Sequence, residues 1–141
     1  MNDFEINFFI EDLDFRLEDE ALIREWIVKV ITVNNYIPGV INYIFCSDEY
    51  LLKMNKKHLN HNYYTDIITF DYVQANQISS DMFISVDRVK DNSSKNGKVF
   101  SKELHRVIIH GILHLIGQDD KTDKEKQRMR SLEDKFLSLL V

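Results

Sequence analysis

The sequence predicts a mixed α/β fold (α+β mixed): a small mixed β-sheet with helices packed on it and one buried central helix. Three observations lead there. Segments rich in β-branched and aromatic residues alternate with segments of helical apolar period. Two strand–helix–strand successions are followed by two strands joined through a short polar stretch, "QANQIS", which reads as a hairpin-like connection. Finally, residues 102–117 are apolar around most of a helix circumference (Leu104, Val107, Ile108, Ile109, Ile112, Leu113, Leu115, Ile116), so that helix must be covered on several sides.

The elements follow in order. "FEINFFI" (4–10) reads as a strand. In 18–36, apolar residues at 22, 23, 26, 27, 30 and 31 keep a helical period. "GVINYIFC" (39–46) reads as a second strand, and Ser47 as the cap of a short helix over 48–59. "TDIITFDYV" (65–73) and "SSDMFISVD" (79–87) read as strands. Ser101 is the expected cap of the central helix, and Gly117 its expected end. Thr122 and Glu125 have the spacing of a capping box opening a last helix, 122–140, whose apolar face runs Met129, Leu132, Phe136, Leu139, Leu140. Trp26 and Phe45 are expected in the core.

The chain has 141 residues, room for one domain with a real core, and four glycines and one proline leave little for a linker, so residues 1–141 are read as one domain. At 44% hydrophobic and 29% charged it has the balance of a globular protein. The acidic start lacks the basic segment of a signal peptide, and no apolar run is long enough to cross a bilayer. A lone cysteine, Cys46, excludes an internal disulfide framework and a cysteine zinc cage. The expectation is a cytoplasmic protein without a membrane partner. The net charge of −5 is uneven: residues 1–25 carry −7, and the remainder +2. A local basic surface is compatible with that distribution, although a solvated surface of mixed charge accounts for it better.

The chemistry concentrates in "HGILHLIGQDD", 110–120. His110 and His114, four apart on a helix, share a face and can grip one ion. Two uncoordinated imidazoles on so apolar a helix would be costly to bury. Gly117 permits a left-handed turn, after which Asp120 can return as a third ligand. The spacing H-x3-H-x2-G-x2-D resembles the metzincin metalloprotease pattern with Asp for its third His. Three protein ligands leave an open position, as in a catalytic zinc site, and a His₂Asp set also admits ferrous iron. Gly111 stands where a metzincin carries its general-base Glu, which argues against peptide hydrolysis. Phosphodiester cleavage, where a metal assists the phosphoryl group directly, fits better.

The same residues resemble the YbeY-type endoribonucleases, whose hallmark is H-G-x-L-H-L-x-G-x-D-H; this chain reads His110-Gly-Ile-Leu-His114-Leu-Ile-Gly117-Gln-Asp119-Asp120. "LLKMNKKHLNHNYYTDIITFDY" (51–72), "DMFISVDRV" (81–89) and "RMRSLEDKFL" (128–137) extend the likeness over about two thirds of the chain. The resemblance implies one zinc held by His110, His114 and Asp120. It also implies a cleft flanked by "TDIITF", and single-stranded cleavage of precursors of small-subunit (16S) ribosomal RNA in maturation and quality control. It implies no DNA substrate. Two departures stand out: the family's third ligand is His, and an arginine expected four residues after Asn55 is Leu59 here.

The resemblance singles out Thr65 and Asp66 beside the site. Asp66 is read either as a catalytic group orienting a water or ligand, or as a turn residue, and His114 as ligand and catalytic control. Asp119 is assigned to the loop and Glu103 to a solvated first helical turn. Lys53, Lys56, Lys57, His58, His61, Arg88, Lys90, Lys98 and Arg106 are candidate phosphate contacts, each singly a plain surface residue. Tyr63, Tyr64, Phe70 and Tyr72 are candidate base-stacking groups, but are assigned first to the core as strand aromatics. A ribosome-assembly factor with a structural metal, and a small metalloprotease, are the competing readings.

Overall fold

The computed structural model describes residues 4–61 and 63–140. Four strands, β1 (Glu5–Ile10), β2 (Ile37–Cys46), β3 (Ile67–Asp71) and β4 (Gln77–Ser85), form one sheet in the order β1-β2-β4-β3. The pairs β1–β2 and β2–β4 are parallel, and β3 runs antiparallel on β4 at the sheet edge. The helices are α1 (Glu20–Val33), α2 (Asp48–Leu59), α3 (Val86–Lys95), α4 (Phe100–Leu115) and α5 (Asp123–Leu137). The fold is therefore the mixed α/β arrangement expected, with β4 inserted between β2 and β3.

Strand alternation fixes two faces. Ile6, Ile41, Tyr43, Phe45, Met82 and Ile84 share one face through the registers Ile6↔Ile41, Tyr43↔Met82 and Phe45↔Ile84. They form the main core with Trp26, Ile27 and Val30 of α1 and with Ile108, Ile109 and Ile112 of α4. On the opposite face Leu51 of α2 packs with Cys46 and Ile68, flanked by Phe70 and Phe83. Burial pushes the Cys46 thiol up to about 12, so it behaves as an inert core residue. No helix among the described residues is long and apolar enough to cross a membrane.

The central helix α4 is buried as expected, and the Tyr43 hydroxyl donates to its Ile108 carbonyl at 3.1 Å. Close approach of this helix to the sheet depends on Gly111: a Cβ there would come within 2.5 Å of Met82 Sδ and 3.0 Å of Ile67 Cδ1.

Several expectations are corrected. The strand expected to run to 87 ends at Ser85, and 86–95 is helix α3, which the sequence reading missed. Its stretch "DNSSK" is poor in helix formers, and only Val86, Val89 and Ser93 are buried, too few to show a period. Ser85 caps it directly from the strand end: its Oγ accepts from the Arg88 N–H at 3.0 Å and donates to Asp48 at 2.7 Å. Ser101 is not the cap of α4. That helix begins at Phe100, after Val99, with no side-chain cap, because Phe100 is drawn inward against Phe15. The helix expected over 18–36 spans only 20–33, and the strand expected over 65–73 only 67–71.

Candidate metal centre

His110 and His114 sit on the last two turns of α4, their rings 4.6 Å apart and nearly perpendicular at 85°. The helix then closes with two reversed bonds: the Gly117 N–H donates to the His114 carbonyl and the Gln118 N–H to the Leu113 carbonyl, both at 3.0 Å. This closure requires a left-handed residue, and Gly117 supplies it at φ +106°. The capping box opens α5 as expected: Thr122 Oγ1 accepts from the Glu125 N–H at 3.1 Å, and Glu125 Oε1 from the Thr122 N–H at 2.9 Å. Between these two fixed ends the chain returns over α4. Asp120 Oδ2 lies 3.4 Å from His110 Nε2 and 3.6 Å from His114 Nε2.

These separations test the fit of an ion. Two donors, each about 2.05 Å from a tetrahedral zinc, stand about 3.3–3.4 Å apart. The His110–Asp120 and His114–Asp120 spacings match that geometry, and all three donor atoms lie within 4.8 Å of one another. The neighbouring Asp119 is exposed and outside the cluster, as its loop assignment anticipated.

Behind the cluster stands a residue the sequence reading missed. Glu133 of α5, only 4% exposed, has Oε2 2.7 Å from His110 Nδ1. Its other oxygen accepts from Arg106 Nη1 at 2.8 Å, and Arg106 Nη2 reaches Asp134 at 2.6 Å. With the Nδ1 proton committed to Glu133, His110 presents the Nε2 lone pair toward Asp120, the tautomer a metal requires. Burial disfavours charge on His110, but the Glu133 bond and the nearby carboxylates outweigh it and raise its pKa above the ordinary imidazole value. The signal for Glu133 was present: it interrupts the buried stripe Met129–Glu133–Phe136, where an acid needs a partner.

Two hollows meet at the cluster. One, of about 670 Å³, is lined by His114 and Asp120, by Asp66 and the β3 edge, and by Leu59, His61 and Tyr63. The other, of about 270 Å³, is lined by Glu103, Arg106, Lys126, Arg130 and Glu133. His110, Asp120 and Asp66 belong to both. Asp66 ends the loop before β3, where its carbonyl accepts from the Ser85 N–H at 2.9 Å. Burial pushes its carboxyl above the usual carboxylate range, against the pull of His110.

Of the candidate cations, the structure brings His61 and Arg106 to the hollows. Arg106 is committed to Glu133 and Asp134, and Arg88 is held by Asp48 and Asp91 elsewhere. Lys121, Lys126 and Arg130, not singled out from sequence, line the hollows instead. Tyr63, Tyr64 and Tyr72, assigned first to the core, are all exposed: Tyr63 and Tyr64 lie in the loop before β3, and Tyr72 falls just past its end at Asp71. Phe70 remains half-buried against α2, as assigned.

The profile of the family described as endoribonuclease YbeY matches residues 6–141. The chain belongs to the YbeY endoribonuclease family. Membership places it among RNA-cleaving hydrolases. Similar relatives carry the same description: the endoribonuclease YbeY of Cytophaga hutchinsonii is 52% identical over 95% of this chain and 94% of its own. That of Flavobacterium johnsoniae is 47% identical over 95% and 96%. The solution structure of a Thermotoga maritima protein shares the fold with a TM-score of 0.65 at 23% identity, covering 94% of this chain and 87% of that one.

Proposed function

We propose that this YbeY family member is a metal-dependent, single-strand-specific endoribonuclease that acts in the cytoplasm on precursors of small-subunit ribosomal RNA, with residues 1–141 working as one domain. The observation that carries the reading is the His110–His114–Asp120 cluster, with tetrahedral spacing of 3.4 and 3.6 Å, at the junction of two hollows. Its three nitrogen and oxygen donors suit zinc first and ferrous iron second. When bound, the ion would supply Lewis acidity to a phosphoryl oxygen and activate a water.

The chain's own residues do the rest. Glu133 orients His110 and Arg106 holds Glu133. Asp66, facing both hollows, holds the proton released in hydrolysis at its carboxyl. Lys121 on one side and Lys126 and Arg130 on the other receive backbone phosphates of a strand crossing the cluster. A protease-type Glu at position 111 has no room, because even a Cβ there would come within 2.5 Å of Met82 Sδ and 3.0 Å of Ile67 Cδ1.

The test is cleavage of a single-stranded RNA by zinc-loaded protein, with a chelated sample, a His114→Ala variant and a DNA strand of the same sequence as controls. Internal cleavage of the RNA alone, lost in both protein controls, is expected. RNA binding without metal-dependent cleavage overturns the enzymatic reading in favour of an assembly factor.

A further inference from the structure

Deepening that reading, and resting on it, we propose that His61 and Tyr63 form a stacking platform for one nucleobase of the bound strand, next to the metal cluster. The two rings lie face to face, centroids 5.1 Å apart and 21° from parallel. They are locked together by a 3.0 Å hydrogen bond between Tyr63 Oη and His61 Nδ1. The backbone under both rings is pinned by a single residue, Asn55. Its carbonyl accepts the His61 N–H at 3.1 Å, and its side-chain amide donates to the Tyr63 carbonyl at 2.9 Å.

Asn55 is 1% exposed, whereas Tyr63 is 55% exposed. A buried amide is thus spent on ordering two rings that contribute nothing to the core. The rings line the same hollow as His114 and Asp120. Leu59, 41% exposed beside them, adds an apolar bed rather than a charge. A rigid aromatic face with an apolar neighbour suits the π-face of a base, and every base has one, so recognition here tolerates sequence. Fixing one base here holds the strand at a set distance from the cluster, a substrate-positioning role.

The experiment compares zinc-loaded wild type, Tyr63→Ala, Tyr63→Phe and His61→Ala on a single-stranded 12-mer RNA and on the same strand with one base removed at each position in turn. In the wild type, one abasic position near the cut should raise KM about 5- to 150-fold with little change in kcat. Tyr63→Ala should raise KM on the intact strand by a similar factor and lose the sensitivity to that abasic position. Tyr63→Phe should retain most of it, and His61→Ala should fall between. A flat abasic profile in the wild type, or wild-type KM in Tyr63→Ala, overturns the platform while leaving the nuclease reading intact. If the wild type cuts no RNA, the nuclease reading falls, and fluorescence of a 2-aminopurine-labelled strand decides the platform. Quenching present in the wild type and absent in Tyr63→Ala sustains it; no quenching overturns it.

Discussion

Replacing Glu133 by glutamine keeps the side-chain volume and removes the second acceptor. The carboxylate serves two donors at once, Arg106 Nη1 at 2.8 Å and His110 Nδ1 at 2.7 Å. Glutamine can accept only one of them. If its oxygen turns to His110, its amide N–H groups face the Arg106 guanidinium, donor against donor, at a cost of about 1–3 kcal/mol. If its oxygen turns to Arg106, its amide donates to Nδ1 and forces the His110 proton onto Nε2, the atom aimed at Asp120. Either arrangement penalises the metal-binding tautomer. The expected loss is about 10- to 100-fold in metal affinity, or about 1.4–2.7 kcal/mol. Titration of zinc against a chelating dye measures it, with circular dichroism confirming the fold. Asp134→Asn is the control: Asp134 also meets Arg106 but is exposed and does not touch His110, so it should bind zinc as the wild type does. Glu133→Gln within twofold of the wild-type affinity would refute the orienting role.

Three further outcomes follow from the same geometry. Asp120→Ala should empty the site, whereas Asp119→Ala should cost no more than about 10-fold, since only Asp120 is in the cluster; elemental analysis of both variants checks it, and the reverse result shows the ligand assignment off by one residue. Gly111→Ala should lower stability by about 1–3 kcal/mol by overpacking against Met82 and Ile67, and Gly111→Glu should lose more and gain no peptidase activity; denaturant unfolding and a casein digest read the two. Asp66 has its folded-state pKa raised above the unfolded value, so its protonated form favours folding. That contribution is full below the unfolded value of about 3.9 and is lost as the pH rises through the folded-state value. Burial of this carboxyl therefore costs stability at neutral pH relative to acid. Asp66→Asn should raise the melting temperature of chelated protein at pH 7, converge with the wild type near pH 3, and lose activity; an unchanged or lower melting temperature at pH 7 would contradict the burial argument.

The strands were legible from their β-branched and aromatic runs, α1 and α5 from an apolar face, α2 from its Ser47 cap and α4 from being apolar on most sides, and the capping box and Gly117 fixed the turn that brings Asp120 back. Helix α3 was not, because two valines in a polar stretch carry no period, and strand 79–87 absorbed its first turn. The three ligand candidates were legible for a local reason: all lie within eleven residues on a helix end and its turn. Glu133, Lys126 and Arg130 reach the site through packing of α5 against α4, a contact no spacing rule predicts. The exposure of Tyr72 was missed because β-propensity does not say where a short edge strand stops, and that of Tyr63 and Tyr64 because they were grouped with the strand aromatics although they precede the strand.

The placement of the donors has a thermodynamic consequence. Two donors stand on α4, the third on the turn beyond it, and the carboxylate steadying the first on α5. An ion held there would bind more tightly when α5 is docked, because Glu133 then orients His110, so it acts as a cross-link that favours the fully docked state. At free ion about 100 times the dissociation constant, such linkage adds about 2.7 kcal/mol. The fraction of the chain with α5 undocked then falls as the free ion rises, and amide exchange along α5 becomes a gauge of how much metal the surroundings supply.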